Sequence, residues 1–189
     1  MSKKIKAIKF IIFWCIIYNI VLSISQTVAS SINIRLSEID LPNNIIAHKI
    51  PRKISSIKFE DFYGNSINLN DYYENLVLIN FWATWCKPCK DEMPSLDVLS
   101  QNEKFKNLII LPINMEEINH EKTKKFFSDL KIKKLKIFFD PHLNFVKELK
   151  LRGVPTSILV DKKGNEFARI TGSINFEDEK FLQWLLQYD

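Results

Sequence analysis

Cys86 and Cys89 stand two residues apart in the run Asn80-Phe81-Trp82-Ala83-Thr84-Trp85-Cys86-Lys87-Pro88-Cys89-Lys90-Asp91-Glu92-Met93-Pro94. Such a pair can exchange disulfides, supply half a metal site or staple a loop. The position of the pair favours exchange. An apolar run, Leu76 to Trp82, stops just before it, and a helical pattern opens just after it. Pro88 suits a first helical turn, where its missing N–H would have no partner anyway. Cys86 is then expected at a helix N-terminus, where free amides and the helix dipole favour an anion. A thiolate is the attacking species in exchange, and helix N-termini favour its formation. Cys86 is the expected nucleophile. Cys89, one turn further in, is the expected resolving thiol. Lys87 adds a little positive potential.

The other uses of the pair find less in the chain. Zinc wants two further ligands, and His48, His120 and His142 lack paired spacing. A structural staple would close so small a loop that it stabilises little. A peroxidatic cysteine would want Pro-x-x-x-Thr-x-x-Cys, and those places hold Ile79 and Ala83. No metal or cofactor is called for.

The elements that position the pair read as alternating strands and helices. Residues 76–82 and 108–114 are continuous apolar runs, the pattern of strands buried on both faces. Helices are expected from the cysteines to about Ser100, after Asn119 as N-cap, in the Leu143–Leu151 stretch, and over the closing residues, with Phe181, Leu185 and Tyr188 on one face. Residues 155–161 and 166–172 flank a Lys162-Lys163-Gly164-Asn165 turn and predict a hairpin. The expected class is α/β, with a central mixed sheet flanked by helices.

The 189 residues carry a net charge of +5. Lys3, Lys4, Lys6 and Lys9 supply most of it, and removing them leaves 23 basic against 22 acidic residues. No nucleic-acid footprint is expected. Residues 1–30 have a basic start, an apolar run from Phe10 to about Ile24 and a small-residue exit at Thr27-Val28-Ala29. That is the layout of a signal peptide, or of a membrane anchor if uncleaved. Either way the remainder faces outward. Cys15 lies inside the apolar run, so Cys86 and Cys89 are the exported pair. Residues 31–53 are polar and irregular, with Pro42 and Pro51, and read as a linker ahead of a domain at 54–189. The lysine cluster at 131, 133, 134 and 136 reads as a solvated face.

The segment Asn80–Leu96 resembles the active-site segment of thioredoxin-like proteins, and is most similar to the exported, often membrane-anchored TlpA/ResA type. Ile67-Asn68-Leu69, Trp-Cys-x-Pro-Cys, the Gly153–Gly164 segment and a closing Thr171-Gly172 extend the likeness over about residues 54–188. The resemblance implies a thioredoxin fold with an inserted βα unit, here about 104–130. It implies that Pro155 is a cis-proline facing the cysteines. There the backbone of Val154, with Thr156 in the same segment, would pair with a substrate strand. Trp85, in the loop just before Cys86, is expected to be partly exposed beside the sulfur as part of the docking surface. Cytoplasmic thioredoxins carry a buried aspartate where Asn80 stands, and an amide cannot relay that proton. Glu92, three residues after Cys89 and on the same helix face, is the expected replacement acid/base, with burial raising its pKa. Pro94, inside the same helix, removes a backbone hydrogen bond.

The function implied is a thiol:disulfide oxidoreductase on the periplasmic side of the bacterial inner membrane. It would reduce disulfides in exported proteins, such as an apocytochrome c haem motif or a copper-site cysteine pair, with electrons from a membrane thiol donor. The related CcmG/DsbE type would carry an acidic Pro-Glu-Thr, and this chain has Pro155-Thr156-Ser157. A thiol oxidant or isomerase, and a copper-binding chaperone of cytochrome oxidase assembly, are the other readings.

Overall fold

The computed structural model describes residues 16–24 and 41–189, which fall into two compact units divided after Asp40. In the first, residues 16–24 form an α-helix, α1, with the Ser23 hydroxyl donating to the Asn19 carbonyl at 2.8 Å. Among the described residues no helix is long and apolar enough to cross a membrane. Cys15, the Thr27–Ala29 exit and residues 31–40 lie outside the described residues.

The second unit is built on an eight-stranded sheet. The strands are β1 (Ile45–Lys53), β2 (Lys58–Asp61), β3 (Ser66–Asn68), β4 (Leu76–Trp82), β5 (Leu108–Asn114), β6 (Phe138–Phe139), β7 (Thr156–Val160) and β8 (Asn165–Thr171). Their spatial order is β1-β8-β7-β4-β5-β6-β2-β3. The β4–β5 and β5–β6 pairs are parallel, and β7, β8 and β1 add on antiparallel. Four helices serve this sheet: α2 (Lys87–Leu99), α3 (His120–Asp129), α4 (Asn144–Leu149) and α5 (Glu179–Leu185). The α/β class with a mixed sheet holds, and the expected βα unit at 104–130 is β5 followed by α3.

All seven residues of β4 are buried, so both its faces are covered. Side chains alternate across the sheet. Val77, Ile79 and Phe81 join the cluster that includes Phe145 and Leu149 of α4. Asn80 and Trp82 therefore face the other way, towards α2, where Asn80 meets Glu92. Trp82 stacks on Phe126 of α3 with ring centroids 4.5 Å apart. Asn119 caps α3 by accepting the Lys122 N–H at 2.9 Å.

Two expectations need correcting. The linker placed at 31–53 ends too late, because Ile45–Lys53 is strand β1, paired with β8. The closing helix stops at Leu185, and Tyr188 lies in a 3₁₀ turn that stacks on Phe167 at 4.0 Å. The β7–β8 turn needs its glycine. Gly164 has φ +77°, and a Cβ there would come within 2.4 Å of the Tyr73 ring.

Asp97 of α2 is buried and accepts the backbone N–H groups of Lys133, Lys134 and Leu135 at 3.0, 2.8 and 3.0 Å. The lysine cluster is exposed, as expected, and this carboxylate grips its backbone. Removing one acceptor strands three donors. Asp97→Ala is expected to lower the stability by about 3 kcal/mol, read from the urea midpoint at unchanged slope; a loss below about 0.5 kcal/mol would show that water replaces the carboxylate.

Candidate active site

Cys86 is the N-cap of α2. Its sulfur accepts the Cys89 N–H at 3.2 Å, and the two sulfurs are joined in a disulfide. A backbone N–H aimed at sulfur in the oxidised state is equally placed to stabilise a Cys86 thiolate in the reduced one. Cys86 is almost fully covered and Cys89 is fully buried. Trp85 beside them is 69% exposed, a large apolar surface at the rim. Pro94 lies in the interior of α2, which continues through it to Leu99.

The Val154–Pro155 bond is cis. Sheet register sets this loop at the same end of the sheet as the cysteine loop. Phe81 pairs with Thr156 in the antiparallel β4–β7 ladder. One step further, Trp82 and Pro155 leave the sheet at the same end, and each leads into its loop. The Pro155 carbonyl accepts the Gly172 N–H at 2.9 Å, which ties the loop to the end of β8. Thr156 is turned inward. Its hydroxyl donates to the Gly153 carbonyl at 2.7 Å, so it shapes the loop. Val154 is half-buried and packs against the core.

Glu92 has almost no exposure to water. Its Oε1 accepts from Asn80 Nδ2 at 2.8 Å, and its Oε2 accepts the Ile174 N–H at 3.3 Å. Burial pushes its pKa up to about 7, against which the Asn80 and Ile174 hydrogen bonds pull down. Asn80 Nδ2 also donates to Ser157 Oγ at 3.0 Å, while Asn80 Oδ1 is buried with no hydrogen-bond partner. That spare acceptor matters chemically. An amide that turns over offers its oxygen to a protonated Glu92 and its nitrogen to an ionised one, so Asn80 can serve both states.

Ser157 was not singled out in the sequence, and only the β4–β7 register, which sets it opposite Asn80, reveals it. A second unforeseen group is Glu116, just past β5. It accepts from the Thr84 backbone N–H and from the Thr84 hydroxyl at 3.0 Å, and from Lys122 at 2.6 Å. Burial would raise its pKa, but the bonds from Lys122 and Thr84 outweigh that and hold it below the usual value. This carboxylate anchors the loop that carries Trp85 and Cys86. The three histidines stand elsewhere, with His48 bonded to Glu166 at 3.0 Å and His120 against the Phe62 ring.

The raised Glu92 pKa has a consequence for stability. The folded protein holds this proton from about pH 4.5 up to about 7, while the unfolded chain has released it. Stability from this group is therefore greatest below pH 4.5 and falls as pH rises to 7, by about 3 kcal/mol at most. Glu92→Gln removes the ionisation. It is expected to be at least as stable as the parent at pH 8 and to lose that fall between pH 5 and 7.5, as followed by urea unfolding. A variant with an unchanged pH dependence would contradict the assignment.

Residues 50–165 match the model of the AhpC/TSA family. The chain is 30% identical over 136 residues to the thiol-disulfide oxidoreductase ResA of Bacillus thuringiensis subsp. konkukian, which covers 71% of this chain and 78% of that one. It is 33% identical over 120 residues to ResA of Geobacillus kaustophilus, covering 62% and 67%. Among solved structures it is similar to a secreted thiol-disulfide isomerase from Corynebacterium glutamicum, with TM-score 0.65 and 21% identity over 78% of this chain and 95% of that one. It is also similar to StoA from Bacillus subtilis, with TM-score 0.56 and 24% identity over 69% and 97%. The fold is thus a thioredoxin fold, and the chain belongs to the AhpC/TSA family as a thiol-disulfide oxidoreductase of the ResA type.

Proposed function

We propose that the protein reduces disulfides in exported proteins from the periplasmic side of the bacterial inner membrane, with residues 1–30 as its signal or anchor. The observation that carries this reading is the Cys86–Cys89 disulfide capping α2, at the same end of the sheet as the cis-Pro155 loop.

The Cys86 thiolate attacks one sulfur of a substrate disulfide. A bond forms between Cys86 and that sulfur, and the other substrate cysteine leaves as a thiolate. Cys89 gives up its proton, with Glu92 as acceptor, and attacks the Cys86 sulfur. The second substrate thiolate leaves, and the Cys86–Cys89 disulfide is restored. Two electrons have passed to the substrate, and a membrane thiol donor returns two by the same exchange. A Glu92 pKa near 7 makes it a useful acid or base at neutral pH. Val154 offers backbone to a substrate strand beside Pro155, and Trp85 offers an apolar rim. Cysteine pairs of apocytochrome c haem motifs or of copper sites suit such a dithiol. The Pro155-Thr156-Ser157 sequence, with no acid, favours the ResA type over the cytochrome-dedicated DsbE type.

Cys89→Ser, expressed in cells, is expected to accumulate mixed disulfides between Cys86 and exported proteins, identified by mass spectrometry after alkylation. The absence of adducts, or the same adducts from Cys86→Ser, would overturn the roles given to the two cysteines. Equilibration of the purified protein with glutathione reads the direction. A reductase is expected below about −200 mV, and a value near −120 mV would assign an oxidant instead.

A further inference from the structure

Between the end of α4 and strands β1 and β8 lies an open cavity of about 790 Å³, whose lining includes Gly153, Val154 and Pro155. Five cationic side chains line it against two carboxylates, Glu148 and Glu166. Two of the five are already committed. Lys53 reaches the Lys163 carbonyl and lies over the Tyr73 ring. Arg169 is held in a fork by Glu166, with bonds of 2.8 and 3.1 Å, and also donates to the Leu149 carbonyl. Glu166 Oε1, which accepts from Arg169 Nε, also meets His48 Nε2 at 3.0 Å, so this carboxylate is already paired.

Arg52, Lys150 and Arg152 remain. All three are exposed, and none makes a side-chain hydrogen bond or ion pair among the described residues. Lys150 and Arg152 sit in the short connection from α4 to the cis-proline, five and three residues before Pro155 respectively. Arg52 approaches from β1. Apart from the N-terminal lysines the chain is nearly neutral in composition, so this concentration is local rather than a by-product of a basic protein.

We propose that this cavity receives an acidic stretch of the substrate polypeptide, next to the cysteine that docks at Pro155, and that Arg52, Lys150 and Arg152 select it. The inference rests on exchange with polypeptide cysteines at the Cys86 site. A cavity that includes the Gly153–Pro155 backbone fits a chain already laid along that loop, and its concave form does not fit a flat lipid surface. Charges of this kind act at the rim. They raise the rate of encounter with an oppositely charged partner, and salt screens them.

The test uses the full chain and two synthetic peptides with the same internal Cys-x-x-Cys disulfide, one flanked by aspartates and one by lysines. Reduction is followed by chromatography at low and high salt. The acidic peptide is expected to react on the order of tenfold faster at low salt, with the advantage shrinking at high salt. The triple variant Arg52→Glu, Lys150→Glu, Arg152→Glu should reverse the preference. The single variants Lys150→Gln and Arg152→Gln should each reduce it, which keeps the test valid if the triple variant misfolds. Reduction of the Cys86–Cys89 disulfide by neutral dithiothreitol should not change in the single variants. Equal rates for the two peptides, or a preference untouched by the variants, would overturn the proposal. Equal rates together with variant-sensitive binding to phosphatidylglycerol vesicles would reassign the cavity to a membrane, and also overturn it. If neither peptide reacts with the parent protein, the reductase reading itself fails.

Discussion

Asn80 donates to a carboxylate that is almost cut off from water, and the site depends on that contact. β4 is otherwise apolar and buried along its whole length. A polar side chain in its middle is tolerable only with partners, which Glu92 and Ser157 supply. The bond fastens α2 to the sheet one turn below the cysteines. It also allows Glu92 to be buried at all, because an isolated carboxylate in such surroundings would be far more costly. A single hydrogen bond therefore joins the packing of the helix to the protonation of the buried acid three residues after Cys89.

Around this contact the chain brings three loops to one end of the sheet. The cysteine loop leaves β4, the cis-proline loop enters β7, and the residues after β8 close over Glu92 through the Ile174 N–H. Glu116 braces the first loop from the end of β5. Thr156 and Gly172 brace the second. The strands are rigid and these loops stand on their ends, so the disulfide and the cis-proline loop are both held in place.

Much of this was legible in the residues. The strands at 76–82 and 108–114 announced themselves as short apolar runs, and Pro88 with the two cysteines located the start of α2. Glu92 was singled out by the family resemblance together with its helical spacing from Cys89. What stayed hidden has physical reasons. β1 is an edge strand, exposed along most of its length and interrupted by Pro51, so it lacks both a hydrophobic run and a clean alternation. Its pairing comes from backbone groups, which every sequence carries. Ser157 lies 77 positions from Asn80, and only the register of β4 on β7 makes them neighbours. Glu116 carries no mark in the sequence, because its partner Thr84 belongs to another loop. The cavity beside α4 likewise forms only when β1, which the residues alone read as linker, takes its place in the sheet.

The protonation state of the Glu92 carboxyl can be read directly. A ¹³C-NMR titration of glutamate-labelled oxidised protein, with Glu92→Gln to assign the signal, should show that carboxyl titrating near pH 7. A midpoint near the ordinary value of about 4.3 would mean that water reaches the group, and would remove Glu92 as the proton partner of the buried thiol.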